Sequence, residues 1–296
     1  MRRECVPGVS ERMERFKTVW DMETGDPDDA MTLCVLATHP RVDLLGVTVF
    51  PGGQDQVGLA KDILSLLGRS DVPVGAGQPK KAGDRVGGFY RKWLGDIEPS
   101  LPDGTAVEVI HTALRLGATH LITGAALTNP YQAMLSWDGE FFDNWTCQGG
   151  FAGDNVVPPQ HRLPKFAGRV TCPTFNLNGD VKAALALIDT PRIRVKHFVT
   201  KNVCHGIFYN ESTQLPDGAH PGLDLLKRGM RIYMRDHAGG KPLHDCIAAA
   251  AAIDPTIIEW VDGHIYRERG EWGTKPGSHK VSIALDVPAF ERTLAG

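Results

Sequence analysis

The chain has 296 residues, 42% of them hydrophobic and 23% charged, with a formal net charge of −3. That length suits one large α/β domain or two small ones with an ample core, and the composition is ordinary for a globular protein. The slight acidity excludes an electrostatic drive toward nucleic-acid polymers or acidic membranes, and no stretch approaches the roughly 20 apolar residues of a membrane span. The six cysteines, Cys5, Cys34, Cys147, Cys172, Cys204 and Cys246, are scattered with no C-x-x-C pair. They read as buried apolar residues or surface thiols of a reducing compartment. Arginines near the N-terminus are followed by no apolar run, so that segment does not read as a secretory signal. Residues 1–15 are expected to be a flexible extension and the location cytoplasmic.

Taken in order, Phe16–Trp20 predicts a strand, Ala30–His39 a helix stopped by Pro40, and Val42–Phe50 a β-branched second strand. These make a βαβ unit whose first loop lies at a strand carboxyl end, where open parallel sheets bind ligands. Gln56–Leu67 is apolar at helical spacing and Val72–Ala76 reads as a short strand. Residues 77–104 form a long loop around Phe89, Tyr90 and Trp93, of the kind that is either functional or a solvated excursion. Ala106–Leu116 returns to helix and His120–Thr123 to strand, and Asn129-Pro130 opens another helix. Gln148–Gly153 is a glycine-rich strand end. Residues 156–173 are an insertion rich in proline and basic groups (His161, Arg162, Lys165, Arg169). Asp180–Ile188 predicts a helix, Arg194–Thr200 a strand, residues 222–252 helices, and Ile257–Tyr266 with Lys280–Leu285 a strand pair. The fold expected is a single α/β domain over residues 1–296. Its sheet is open, mostly parallel and Rossmann-like, flanked by helices, with a small C-terminal strand pair.

Two constellations carry chemistry. Val19–Ala30 packs the carboxylates Asp21, Glu23, Asp26, Asp28 and Asp29 between two apolar runs. Asp28 and Asp29 alone would serve as helix-start residues, but five acids exceed that need. Like charges so close repel unless a cation or a proton is shared among them, which points to a hard divalent ion with oxygen ligands. The second constellation is Pro242-Leu243-His244-Asp245 before the apolar run from Cys246 to Ile253. It reads either as a helix cap beside a surface histidine or as a further ligand beside a proton donor.

With these pieces quoted, the chain resembles the inosine-uridine-preferring nucleoside hydrolases. That family has a D-x-D-P-G-x-D-D loop after its first strand, then G-P-L-T-N, E-F-N and a late H-D pair. Here D-M-E-T-G-D-P-D-D-A stands at 21–30, G-A-A-L-T-N at 124–129, T-F-N at 174–176 and P-L-H-D at 242–245. The resemblance runs from about Thr18 to about Asp254. It implies calcium-dependent hydrolysis of the N-glycosidic bond of a small-molecule nucleoside or nucleotide, and a homodimer or homotetramer. It implies metal ligation by Glu23, Asp29, Asp245 and the Gly124 carbonyl, with Asp21 a further candidate. Glu23 would also act as general base, with Asp21 or Asp26 as alternatives. Asp28 would hold ribose hydroxyls, Asn176 the ribose, and His244 would protonate the leaving base. Asn155 and His205 are further candidate substrate contacts.

The departures from the family pattern are specific. The acidic loop is one residue longer and Glu23 replaces an Asp. The family's Asn after the second strand is missing, with Gln54 the nearest amide, and no His lies between His39 and His111. The family's Glu at the ribose 5′ end is Thr174 here. A carboxylate there would repel a phosphate and Thr174 would not, so a nucleoside 5′-monophosphate stands beside an ordinary nucleoside as substrate. Two other readings are a magnesium phosphatase of the haloacid dehalogenase type, for which D-M-E-T is a near match, and a non-catalytic calcium-stabilised ribosyl-binding protein.

Overall fold

The computed structural model describes residues 15–77 and 85–296. The extension expected over residues 1–15 lies, except for Arg15, outside the described residues, as do Cys5 and residues 78–84 of the long loop. β1 (Phe16–Met22), α1 (Pro27–Thr38) and β2 (Val42–Val49) form the expected parallel βαβ unit. α2 (Gln54–Leu66), β3 (Val74–Ala76), α3 (Gly88–Leu94), β4 (Gly104–Thr105) and α4 (Ala106–Arg115) follow. Next come β5 (His120–Thr123), α5 (Thr128–Leu135), β6 (Phe142–Gln148) and β7 (Thr171–Cys172). α6 (Phe175–Gly179), α7 (Val181–Asp189), β8 (Ile193–Val199), α8 (Lys201–Cys204), β9 (Phe208–Tyr209) and α9 (Pro221–Asp236) continue the chain. β10 (Lys241–Pro242), α10 (His244–Ile253), β11 (Ile258–Glu268), β12 (Glu271–Leu285) and α11 (Val287–Ala295) end it.

The main sheet runs β11-β12-β8-β6-β5-β1-β2-β3-β4, with β7 beside β12. Every pairing from β12–β8 to β3–β4 is parallel. The expected C-terminal strand pair is the antiparallel β11–β12 hairpin. It is no separate ribbon, because Lys280 and Val281 of β12 pair with His197 and Phe198 of β8 and extend the sheet. β1 crosses over to β2 on one side while β5 enters on the other. Strand order therefore reverses at β1–β5, and the crevice outside that pair is the place where such sheets hold ligands.

Alternation along β1 sends Trp20 and Val19 into separate apolar clusters on the two faces of the sheet. α10 is buried on nearly every side, as a helix apolar all round must be, and its alanines let it lie close among β5, β6 and α1. It thereby carries His244 and Asp245 to the strand carboxyl ends. α1 begins at Pro27, not at Ala30. Asp26 is its N-cap and accepts the Asp28 N–H, Pro27 occupies the first turn, and Asp28 and Asp29 are buried inside the helix.

The long loop packs on this acidic turn. Tyr90 Oη donates to the carbonyls of Thr24 and Asp26 at 3.1 and 3.0 Å, and Gln56 Nε2 donates to Thr24 Oγ1 at 2.8 Å. α9 closes the other side of α1 through Gly222, where an added Cβ would lie 1.7 Å from the Cys34 carbonyl oxygen. Gly222→Ala should therefore push α9 off α1 and cost about 3 kcal/mol in a denaturant titration; an unchanged midpoint would contradict this close approach.

Candidate active site

Asp28 and Asp29 of α1 and Asp245 of α10 are all buried and place a carboxylate oxygen each within 4.8 Å of one another. The segments are cross-tied. Asp29 Oδ1 accepts the Glu23 N–H at 2.9 Å, and Asp28 Oδ2 accepts the Asp245 N–H at 3.0 Å. Asp28 thus caps α10 from another helix, since Leu243 at the N-cap position supplies no side-chain bond. Burial first, then the neighbouring carboxylates, raise the pKa of Asp29 and of Asp245 well above the usual carboxylate range. Asp26 is pushed up to about 6 by burial and by Asp28.

A buried lysine enters this group. The Lys241 ammonium, 2% exposed, lies 2.7 Å from Asp26 Oδ1 and 3.4 Å from Asp28 Oδ1, and donates to the Pro242 carbonyl at 2.7 Å. Burial works against its charge, but Asp28 and Asp26 outweigh burial and hold its pKa above the ordinary lysine value. The Lys241 ammonium and the Arg85 guanidinium, which also lines the pocket and acts on Glu23, still leave the carboxylates Glu23, Asp26, Asp28, Asp29 and Asp245 in excess around it. Asp245 Oδ1 is buried with no hydrogen-bond partner among the described residues. An all-oxygen, negatively charged set with an orphaned carboxylate oxygen fits a hard divalent ion.

These acids line a cavity of about 480 Å³. Arg85, Gln148, Thr174, Phe175, Asn176, Lys201, His205 and His244 line it with them. Asn176 Nδ2 donates to the backbone carbonyl and to Oε1 of Gln148 at 3.1 and 2.7 Å. Phe175 is 78% exposed at the mouth, and the His205 and His244 rings lie 4.7 Å apart. Burial, then Lys241, holds the His244 pKa down to about 4. Burial, then His244 and two lysines, holds that of His205 down to about 3.

Of the residues expected from the sequence, Glu23, Asp28, Asp29, Gly124, Thr174, Asn176, His205, His244 and Asp245 meet at this pocket. Three assignments come out differently. Asp21 faces the interior, its Oδ1 accepting from Thr48 Oγ1 at 2.6 Å and Asn129 Nδ2 at 2.9 Å, and burial lifts its pKa to about 7. It lies outside the carboxylate group, because successive side chains alternate faces on β1 and Asp21 is still within the strand. Glu23 lines the pocket, but its carboxylate turns back on the Gly25 N–H of its own loop instead of joining Asp28, Asp29 and Asp245. Asn155 does not reach the pocket, since its Nδ2 is spent on the Thr274 carbonyl at 3.0 Å.

Gly124 sits where a Cβ would be 2.5 Å from the Trp20 ring and 2.7 Å from Asp245 Oδ1, so nothing larger fits beside the orphaned oxygen. Sequence reasoning passed over Lys241 and Gln148. Lys241 had a signal, as a lysine three residues before the His-Asp pair. Of the basic insertion only Lys165 approaches the pocket, with Nζ 2.7 Å from His205 Nδ1. Arg162 is tied to the Val157 and Asp154 carbonyls, and His161 faces Glu259.

Fold and site together define an α/β protein with an acid-floored pocket at the strand switch point. The family model described as inosine-uridine preferring nucleoside hydrolase matches residues 18–292, and the chain belongs to that family of N-glycosyl hydrolases. It is 27% identical over 282 residues to an uncharacterized protein of Aquifex aeolicus (strain VF5), covering 92% of this chain and 94% of that one. It is 24% identical over 330 residues to a probable uridine nucleosidase 2 of Arabidopsis thaliana, covering 95% and 97%. Among solved structures, a purine-preferring ribonucleoside hydrolase from Gardnerella vaginalis matches with a TM-score of 0.67 at 20% identity, over 94% of this chain and 96% of that one. That likeness shows the fold. Family membership and the inward turn of Asp21, the residue a phosphatase would use as nucleophile, set the phosphatase reading aside.

Proposed function

We propose that this chain hydrolyses the N-glycosidic bond of a ribonucleoside with calcium held by Asp28, Asp29, Asp245 and the Gly124 carbonyl. The observation that carries the reading is the meeting of three buried carboxylates from α1 and α10, with Asp245 Oδ1 unpartnered. When bound, the ion supplies Lewis acidity to a water and to the ribose diol.

The chain's own groups do the rest. Glu23 is the pocket carboxylate outside both the three-acid group and the Lys241 pairing, which leaves it to take a proton from the attacking water. The water oxygen bonds to C1′ as the C1′–N bond breaks, and the departing base keeps the electron pair and takes up a proton from solvent, while Glu23 returns to solvent the one it removed from water. Cleavage builds positive charge on the sugar, which the carboxylate floor stabilises. Asp28 and Asn176 hold ribose hydroxyls, and the exposed Phe175 ring offers a face for the base to stack on.

His244 Nε2 is buried without a partner and takes its place against the leaving base. With its pKa near 4 the ring is neutral at pH 7, so it assists as a neutral N–H donor to the base, as neutral imidazole electrophiles do. His244→Ala should lower kcat by about 10²-fold and leave KM much less affected; a kcat within twofold of the parent would remove His244 from the reaction.

The reading is tested by incubating the calcium-loaded protein with a panel of purine and pyrimidine nucleosides and their 5′-monophosphates and following free base, reducing sugar and phosphate together. Equimolar base and reducing sugar support it. Phosphate release from a nucleotide without free base, or calcium binding with no product from any member of the panel, overturns it.

A further inference from the structure

The cavity is lined by groups of both charges. Lys201 lines it together with the carboxylates, and its Nζ donates to the Pro173 carbonyl at 2.9 Å, which leaves two of its three protons for a ligand. Lys165 stands beside it, and the two ammonium groups lie 5.1 and 5.9 Å from the same Phe166 ring. Among the described residues neither lysine is paired with a carboxylate. Next to Pro173, Thr174 is 2% exposed and lines the cavity, and its Oγ1 is buried with no hydrogen-bond partner.

A buried hydroxyl without a partner costs free energy unless something else bonds to it. The Lys201 ammonium, bonded to the carbonyl of the preceding Pro173 and carrying no carboxylate partner among the described residues, with the Lys165 charge near it, marks that something as an anion. The two nearby histidines offset none of this charge, because they are neutral or cationic and never anionic. The acid floor excludes the anion from its own end and suits the hydroxyl-rich, cation-gripped part of a sugar. An anion on the same molecule therefore sits away from the sugar diol, as a phosphate on the exocyclic carbon of the sugar does. The cavity volume of about 480 Å³ falls in the range of small-molecule sites and accommodates the additional group.

We propose that Thr174, Lys201 and Lys165 form a phosphate subsite, so that the preferred substrate is a nucleoside 5′-monophosphate in place of the free nucleoside. The inference rests on the N-glycosyl hydrolase reading above. It requires no new bond-breaking step, because the phosphate is bound and released intact on the sugar. Lys201 and Thr174 donate to its oxygens and Lys165 adds charge at the rim.

The test is calorimetric titration of the calcium-loaded protein with ribose 5-phosphate and with ribose, alongside kcat/KM for inosine and for inosine 5′-monophosphate. The expected result is at least tenfold tighter binding of the phosphorylated sugar. That ratio should fall at least fivefold in Lys201→Met and in Thr174→Val, the second being isosteric and removing only an unpartnered hydroxyl. The monophosphate should also be the better substrate. Equal or weaker binding of ribose 5-phosphate, its failure to bind at all, or a ratio that both variants leave unchanged overturns the subsite. Failure of the hydrolase reading is distinct: ribose 5-phosphate binds tightly, yet neither inosine nor its monophosphate releases base.

Discussion

Asp245→Asn should lose turnover by about 10³-fold or more, the scale on which removal of a preorganised electrostatic group acts, while the metal-free protein becomes more stable. The two effects have one cause. Asp245 is pushed toward protonation by burial and then by Asp28 and Asp26, so in the metal-free protein its charge opposes folding. Asparagine keeps the shape and the backbone N–H that Asp28 Oδ2 accepts at 3.0 Å, but it removes the charge. Thermal melts with chelator and with calcium check this. The parent should show a large calcium-induced rise in Tm, since an ion that binds only the folded state stabilises it by mass action. The variant should start higher in chelator and gain little from calcium. An unchanged calcium response would remove Asp245 from the metal site.

Lys241→Met should do the reverse. The Lys241 ammonium is the one cation among the described residues in contact with Asp26 and Asp28, at 2.7 and 3.4 Å, and both it and Asp28 are buried. Breaking one side of a buried pair leaves an uncompensated charge and costs about 3 kcal/mol at the low end of such cases, which suits a site where Asp26 is half-exposed. The loss should be large in chelator and smaller in saturating calcium, because the ion then compensates the same carboxylates. A drop of equal size in both conditions would mean that Lys241 serves packing alone. Together the two variants separate the charge that opposes the metal-free state from the charge that holds it together.

The sites of these two variants were not equally legible in the sequence. Asp245 was readable because an apolar run as long as Cys246–Ile253 must be a buried helix, and whatever opens it is carried to the sheet edge. The acidic loop was readable for a similar reason, since a strand that ends in acids and runs into a helix places them at the carboxyl edge. The direction of each side chain was not readable. Asp21 turns inward to Thr48 and Asn129, Glu23 folds back to Gly25, and Asn155 is spent on Thr274. Each depends on a partner distant in sequence or on a backbone turn that spacing does not specify. Lys241 escaped notice because a lone lysine is ordinarily a solvated residue, and only the pairing of β10 with β9 fixes it beneath the acids. The β11–β12 hairpin was legible as a pair, but its attachment to β8 was not, because two residues of parallel register leave no pattern of their own.

The most direct measurement is base release from a single nucleoside, inosine or uridine, as calcium is removed by a chelator and then restored in excess. The account predicts that free base and ribose appear together in calcium, that release stops in chelator, and that it recovers fully on restoring calcium. Undiminished release in chelator, or no base from either nucleoside or its 5′-monophosphate with calcium saturating, would contradict it.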